Sequence, residues 1–138
     1  MRTYSINSAG KGNRYHPVLI MWPQSDRWPQ DGEYDFFECD CDSGKYEHYE
    51  HIPGNDGSAQ EYDSIDLDIQ NWHNYAFEWS KTGIKGFIDG KQVWQYNGSY
   101  ILAPGPMHPT IQLDNFFGSN MEPAKFEAKW VRIYASPS

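Results

Sequence analysis

No stretch of this 138-residue chain keeps apolar side chains at the 3.6-residue spacing of a helix, and that restricts the fold to strands. Short β-rich runs are broken by twelve glycines and nine prolines, the mark of a sandwich or barrel. Strands are predicted at 18–22, 34–39, 45–52, 74–79, 84–88, 92–96, 110–116 and 125–134. Tyr75, Phe77 and Trp79 alternate onto one face of the fourth. Asp89-Gly90, between 84–88 and 92–96, signals a two-residue type I′ hairpin. Residues 53–61 read as a loop. Residues 1–14, polar and Gly/Ser-rich, read as an arm ahead of one domain over 15–138.

Within the strand at 34–39 lies an unusual segment. Glu33, Asp35 and Glu38 are interleaved with Tyr34, Phe36 and Phe37. Carboxylates normally scatter over solvated surface, and aromatics normally mark a packed strand. Charge held against apolar bulk pushes carboxylate pKa values apart, which provides one acid and one base. Glu33 and Asp35 share a face of a regular strand, but Glu38, five positions after Glu33, does not. A β-bulge around Phe36-Phe37 restores it. The two Glu backbones then stand about 13 Å apart, and inward-leaning side chains bring the carboxyls to about 5–6 Å, near the retaining-glycosidase spacing. Taken alone, the segment fits equally an acidic edge strand with an aromatic inner face. Trp22-Pro23 and Trp28-Pro29 stand just ahead of it, and Trp is a good stacking surface for a sugar ring.

Composition narrows the partners. A formal charge of −8 argues against nucleic acid, whose phosphates are repelled, and leaves a neutral polysaccharide unaffected. No apolar run approaches the length of a membrane span, and the N-terminal residues lack the apolar core of a signal peptide. Cys39 and Cys41 are too close in a strand for good disulfide geometry and read as two free thiols rather than a metal site. Asp63, Asp66 and Asp68 read as a solvated acidic edge in preference to a structural calcium site. No cofactor is required.

The run from Trp28 through Gly32, Glu33 and Asp35 to Glu38 resembles the W-P-x-x-G-E-x-D-x-x-E signature of glycoside hydrolase family 16, in its bulged form. That family includes laminarinases, lichenases, agarases and carrageenases. Trp72-His73-Asn74-Tyr75-Ala76-Phe77-Glu78-Trp79, the Asp89-Gly90 hairpin and Trp130-Val131-Arg132-Ile133-Tyr134 resemble further segments of the family, in the same order. The resemblance implies an antiparallel β-sandwich, a jelly roll of the concanavalin A-like type. It implies Glu33 as nucleophile, Glu38 as general acid/base, and Asp35 between them tuning their protonation. His48 and His51 resemble histidines that reach sugar hydroxyls. Gln112 resembles a concave-face amide, and Trp22 and Trp28 are stacking candidates. Lys129 departs from the pattern, where the family usually has Asp. Members of the family also usually carry more strands before the catalytic one, so a partial domain is expected, with its open edges covered by a homo-oligomer or larger assembly.

The implied activity is endo-acting, retaining hydrolysis of a β-linked polysaccharide, a glucan or galactan. Transglycosylation shares the same intermediate. The rival is a non-catalytic carbohydrate-binding or adhesion domain, as in a viral tail. Either role places the chain outside the cell or in a secreted or virion assembly.

Overall fold

The computed structural model describes residues 2–5, 13–39 and 45–135. Ten strands lie among them: β1 Arg2–Ser5, β2 His16–Pro23, β3 Glu33–Glu38, β4 Lys45–His51, β5 Gln60–Asp66, β6 Tyr75–Ser80, β7 Gly83–Ile88, β8 Lys91–Asn97, β9 Met107–Asp114 and β10 Ala124–Glu127. A single 3-10 turn, Ser99–Ile101, is the helical content of the described residues. One sheet runs β5-β4-β3-β2-β9, a second runs β6-β7-β8, and β1 pairs with β10. All of these strand pairs are antiparallel. This is the jelly-roll sandwich expected from the sequence.

The two sheets bury apolar side chains between them. Leu19, Tyr34 and Phe37 from the larger sheet meet Ile84, Ile88 and Trp94 from the smaller one. Each fully buried side chain of this size contributes about 1.5–3 kcal/mol. Tyr34 is wholly buried, yet its hydroxyl is satisfied: it donates to the Ile101 carbonyl at 2.7 Å and accepts from the Ala103 N–H at 2.5 Å. Trp94 lies flat on β7 because position 86 is glycine. A Cβ there would stand 2.0 Å from the indole. The Asp89-Gly90 hairpin is present, with φ of 50° and 80° and Ile88 paired to Lys91.

Tyr75, Phe77 and Trp79 share one face, as expected, and the chain itself supplies part of their cover. Phe37 packs on Tyr75 at 4.5 Å between ring centroids, and Tyr34 packs on Phe77 and Trp79 at 5.2 and 5.8 Å. Other expectations change. Residues 128–135 belong to no strand, and β10 stops at Glu127, which pairs with Arg2. The loop read at 53–61 ends in β5, which pairs with all of β4. Its alternation puts Asp63 and Asp66 on opposite faces, so the three acids do not converge. Cys39 is buried in the core, and Cys41 lies outside the described residues. Most of the 1–14 arm also lies outside them, although β1 forms within it. Among the described residues no helix is long and apolar enough to cross a membrane.

Candidate active site

The site is built on β3, the middle strand of the larger sheet. Alternation sends Tyr34 into the core and Glu33 and Asp35 to the opposite, open face. Between Asp35 and Glu38 the register shifts. Phe36 and Phe37 stand opposite the single residue His48, since Asp35 pairs with Tyr49 and Glu38 with Glu47. On the other side Ile20 pairs with Asp35 and Leu19 with Phe37, so Phe36 is the inserted residue. Its ring turns inward and stacks on Phe77 at 5.7 Å, which gives the bulge an apolar anchor. Glu38 thereby pairs with Val18, two positions from Ile20, and returns to the face of Asp35 and Glu33. The three carboxylates share one face.

Neighbouring strands add to that face. His51 pairs with Glu33 across β3–β4, and its Nε2 lies 3.7 Å from Glu33 Oε2 and 3.6 Å from Asp35 Oδ2. Trp28 meets the His51 ring edge-on at 5.7 Å and packs over Gly57, where a Cβ would stand 2.4 Å from the indole. On β9, Gln112 pairs with Val18 and its amide donates to Asp114 Oδ2 at 2.9 Å. Trp22, Ile20, His108, Thr110 and Gln112 line a depression of about 340 Å³ on this face. The Trp22 indole N–H donates to Asp26 Oδ1 at 2.9 Å. A larger depression, about 900 Å³, opens among Trp72, Tyr75, Phe126 and Trp130, away from the carboxylates.

Electrostatics follow from the crowding. Burial pushes the Asp35 carboxyl well above the usual carboxylate range, and the charge and hydrogen bond of Glu33 push it the same way, followed by the charges of Glu38 and Glu50. Burial likewise raises Asp114, with the Glu38 charge adding and the Gln112 hydrogen bond opposing. Glu50, paired with Tyr34 on the core side of β4, is wholly buried and raised by burial first and Glu33 second.

His48 does not belong to this face. It lies three positions from His51, so alternation turns it into the core, where it is fully buried and stacks on Trp94 at 4.3 Å and 11°. Burial pulls its pKa down to about 4. Thus Glu33, Asp35, Glu38, His51, Gln112, Trp22 and Trp28 are brought to one face or its rim, and His48 is excluded. Three further residues join them. His16 lies 3.4 Å from Glu38 Oε1, His108 lines the depression, and Asp114 pairs opposite His16. The readable signal for His16 was its parity with Trp22 on one strand; what that strand pairs with was not readable.

The described residues form an antiparallel β-sandwich with three carboxylates on the open face of its middle strand. The chain belongs to glycosyl hydrolases family 16, whose family model matches residues 6–130. It is similar in structure to the laminarinase from Rhodothermus marinus, with a TM-score of 0.63 at 20% identity, over 81% of this chain and 51% of that one. It is also similar to a family 16 endo-glucanase from Bacteroides ovatus, with a TM-score of 0.63 at 15% identity, over 89% and 61%. The laminarinase catalytic domain from Thermotoga maritima matches with a TM-score of 0.58 at 22% identity, over 81% and 49%. The chain thus spans about half to three-fifths of the length of these structures. No curated protein matches it.

Proposed function

We propose that this chain carries the catalytic face of an endo-acting, retaining β-glycanase. The observation that carries the reading is the bulge at Phe36, which puts Glu33, Asp35 and Glu38 on one face. In the first step a Glu33 carboxylate oxygen bonds to the anomeric carbon, the glycosidic C–O bond breaks, and Glu38 gives its proton to the leaving oxygen. In the second, water attacks the glycosyl-enzyme, Glu38 takes the water's proton, and Glu33 is released. Asp35 hydrogen-bonds Glu33 and holds it in line. His51, Gln112, Trp22 and Trp28 contact the sugars, Trp by stacking and the others by hydrogen bonds.

The substrate is an uncharged β-glucan or galactan. The formal charge of −8 on the chain disfavours a polyanionic, sulfated polymer. An uncharged polysaccharide places the protein outside the cell or in a secreted or virion assembly. No cofactor takes part in these steps.

Reducing-sugar release from a panel of neutral glucans and galactans tests the reading, with mass spectrometry of the Glu33 peptide after a slow fluoroglycoside. Turnover with an adduct on Glu33 is expected. A second reading is a non-catalytic carbohydrate-binding domain of a larger assembly. It is favoured by Ile111 and Leu113, 44% and 36% exposed on the side of β9 that faces away from the carboxylates. Oligosaccharide binding without any product would select it and reject the hydrolase.

A further inference from the structure

We propose that Glu33, Asp35 and His51 form a binding site for a divalent transition cation of the Zn²⁺ type, and that the bound ion closes the cleft to substrate. One ligand atom from each lies within 4.8 Å of the others. The His51 Nε2 distances, 3.7 Å to Glu33 Oε2 and 3.6 Å to Asp35 Oδ2, are the informative ones. Zinc binds imidazole and carboxylate at about 2.0–2.2 Å, and a tetrahedron with such bonds has edges of about 3.3 Å. The two edges observed exceed that by only a few tenths of an ångström, which side-chain rotation supplies.

A second observation points the same way. The Asp35 side chain is only 6% exposed, and its Oδ1 has no hydrogen-bond partner among the described residues. A buried carboxyl oxygen without a partner is costly; Oδ2 of the same carboxyl faces His51, and a cation bound by both oxygens would satisfy the group. Two carboxyls and an imidazole also suit zinc better than calcium, which takes six to eight oxygens. The blocking effect, but not the binding, rests on Glu33 being the nucleophile, because a carboxylate bound to metal cannot attack carbon.

Calorimetric titration of the whole chain with Zn²⁺ alone is the test. One ion per chain is expected, with affinity lowered at least about tenfold in His51→Gln and kept in Glu38→Gln, which retains all three ligands. Circular dichroism checks that the variants fold; if His51→Gln does not, Glu33→Gln provides the same comparison. Equal affinity in wild type and the ligand variants overturns the site, as does Ca²⁺ binding as tightly as Zn²⁺. On a hydrolysed glycan, Zn²⁺ should inhibit competitively and a chelator should restore the rate. Full turnover at saturating Zn²⁺ overturns the blocking. An absence of turnover in metal-free buffer counts against the hydrolase reading alone, since the titration still decides the site.

Discussion

His16 Nδ1 lies 3.4 Å from Glu38 Oε1, although twenty-two positions separate the two residues in the chain. The contact exists because β2 and β3 pair with the bulge residue slipped between them. In the proposed mechanism His16 is a positioning residue for the Glu38 carboxyl. The Phe116 ring braces it from the side at 5.0 Å. His16→Asn is expected to lower kcat on polysaccharide about tenfold, the value of one hydrogen bond to a charged group. Aryl glycosides with good leaving groups should lose much less. An equal loss on both substrates would show that His16 acts on binding or folding instead.

Glu38→Gln should slow hydrolysis of natural glycans by about 10²–10⁴ and spare activated aryl substrates in their first step, which need no proton. Glu33→Gln should stop glycosyl-enzyme formation on both, because an amide does not attack. Burst kinetics on the two substrate types separates the roles. A Glu33→Gln enzyme that still accumulates the intermediate would reverse the assignment.

His48 makes stability depend on pH. Its folded pKa, about 4, lies below the ordinary 6.5, so the unfolded chain binds the proton more readily. Stability from this group is complete above pH 6.5 and declines as pH falls toward 4, by about 3 kcal/mol in all. Burial causes the shift, and Asp63, paired opposite on β5, opposes it. His48→Phe keeps a flat ring against Trp94 and removes the proton. The Tm difference between His48→Phe and wild type should therefore grow in favour of the variant from pH 7 to pH 4. A constant difference would show that His48 does not titrate in that window.

Tyr34→Phe should destabilise the fold by about 2–4 kcal/mol without touching the open face. It strips a donor from the Ile101 carbonyl and an acceptor from the Ala103 N–H, both deep in the core. Denaturant unfolding with an unchanged m-value is the check.

The isolated 138-residue chain is expected to self-associate. Ile111, Leu113, Trp130, Val131, Ile133 and Tyr134 are large apolar side chains from 36% to 78% exposed, and exposed apolar groups in such number mark contact surfaces. Sedimentation velocity reads this directly. A monomer at all concentrations would show that this surface is tolerated in water.

Much of this protein was legible in its residues because the governing rules are local. A period of two decides which side chains share a face. The type I′ turn needs positive φ at both central positions, which Asp89-Gly90 supplies. The five-residue step from Glu33 to Glu38 required a bulge, and one is present. The same rule separates His48 from His51, three positions apart, whereas the family resemblance had put both at the sugar. What the tertiary structure alone decided is which strands are neighbours. His16 and Asp114 reach Glu38 only because β2 is flanked by β3 and β9, and that order comes from the burial of Leu19, Tyr34 and Phe37 against Ile84, Ile88 and Trp94. Pairings across dozens of residues are selected by the whole core at once, and no local spacing encodes them. The last strand shows the same limit: residues 128–135 have strand-forming side chains, but among the described residues the strand ends at Glu127.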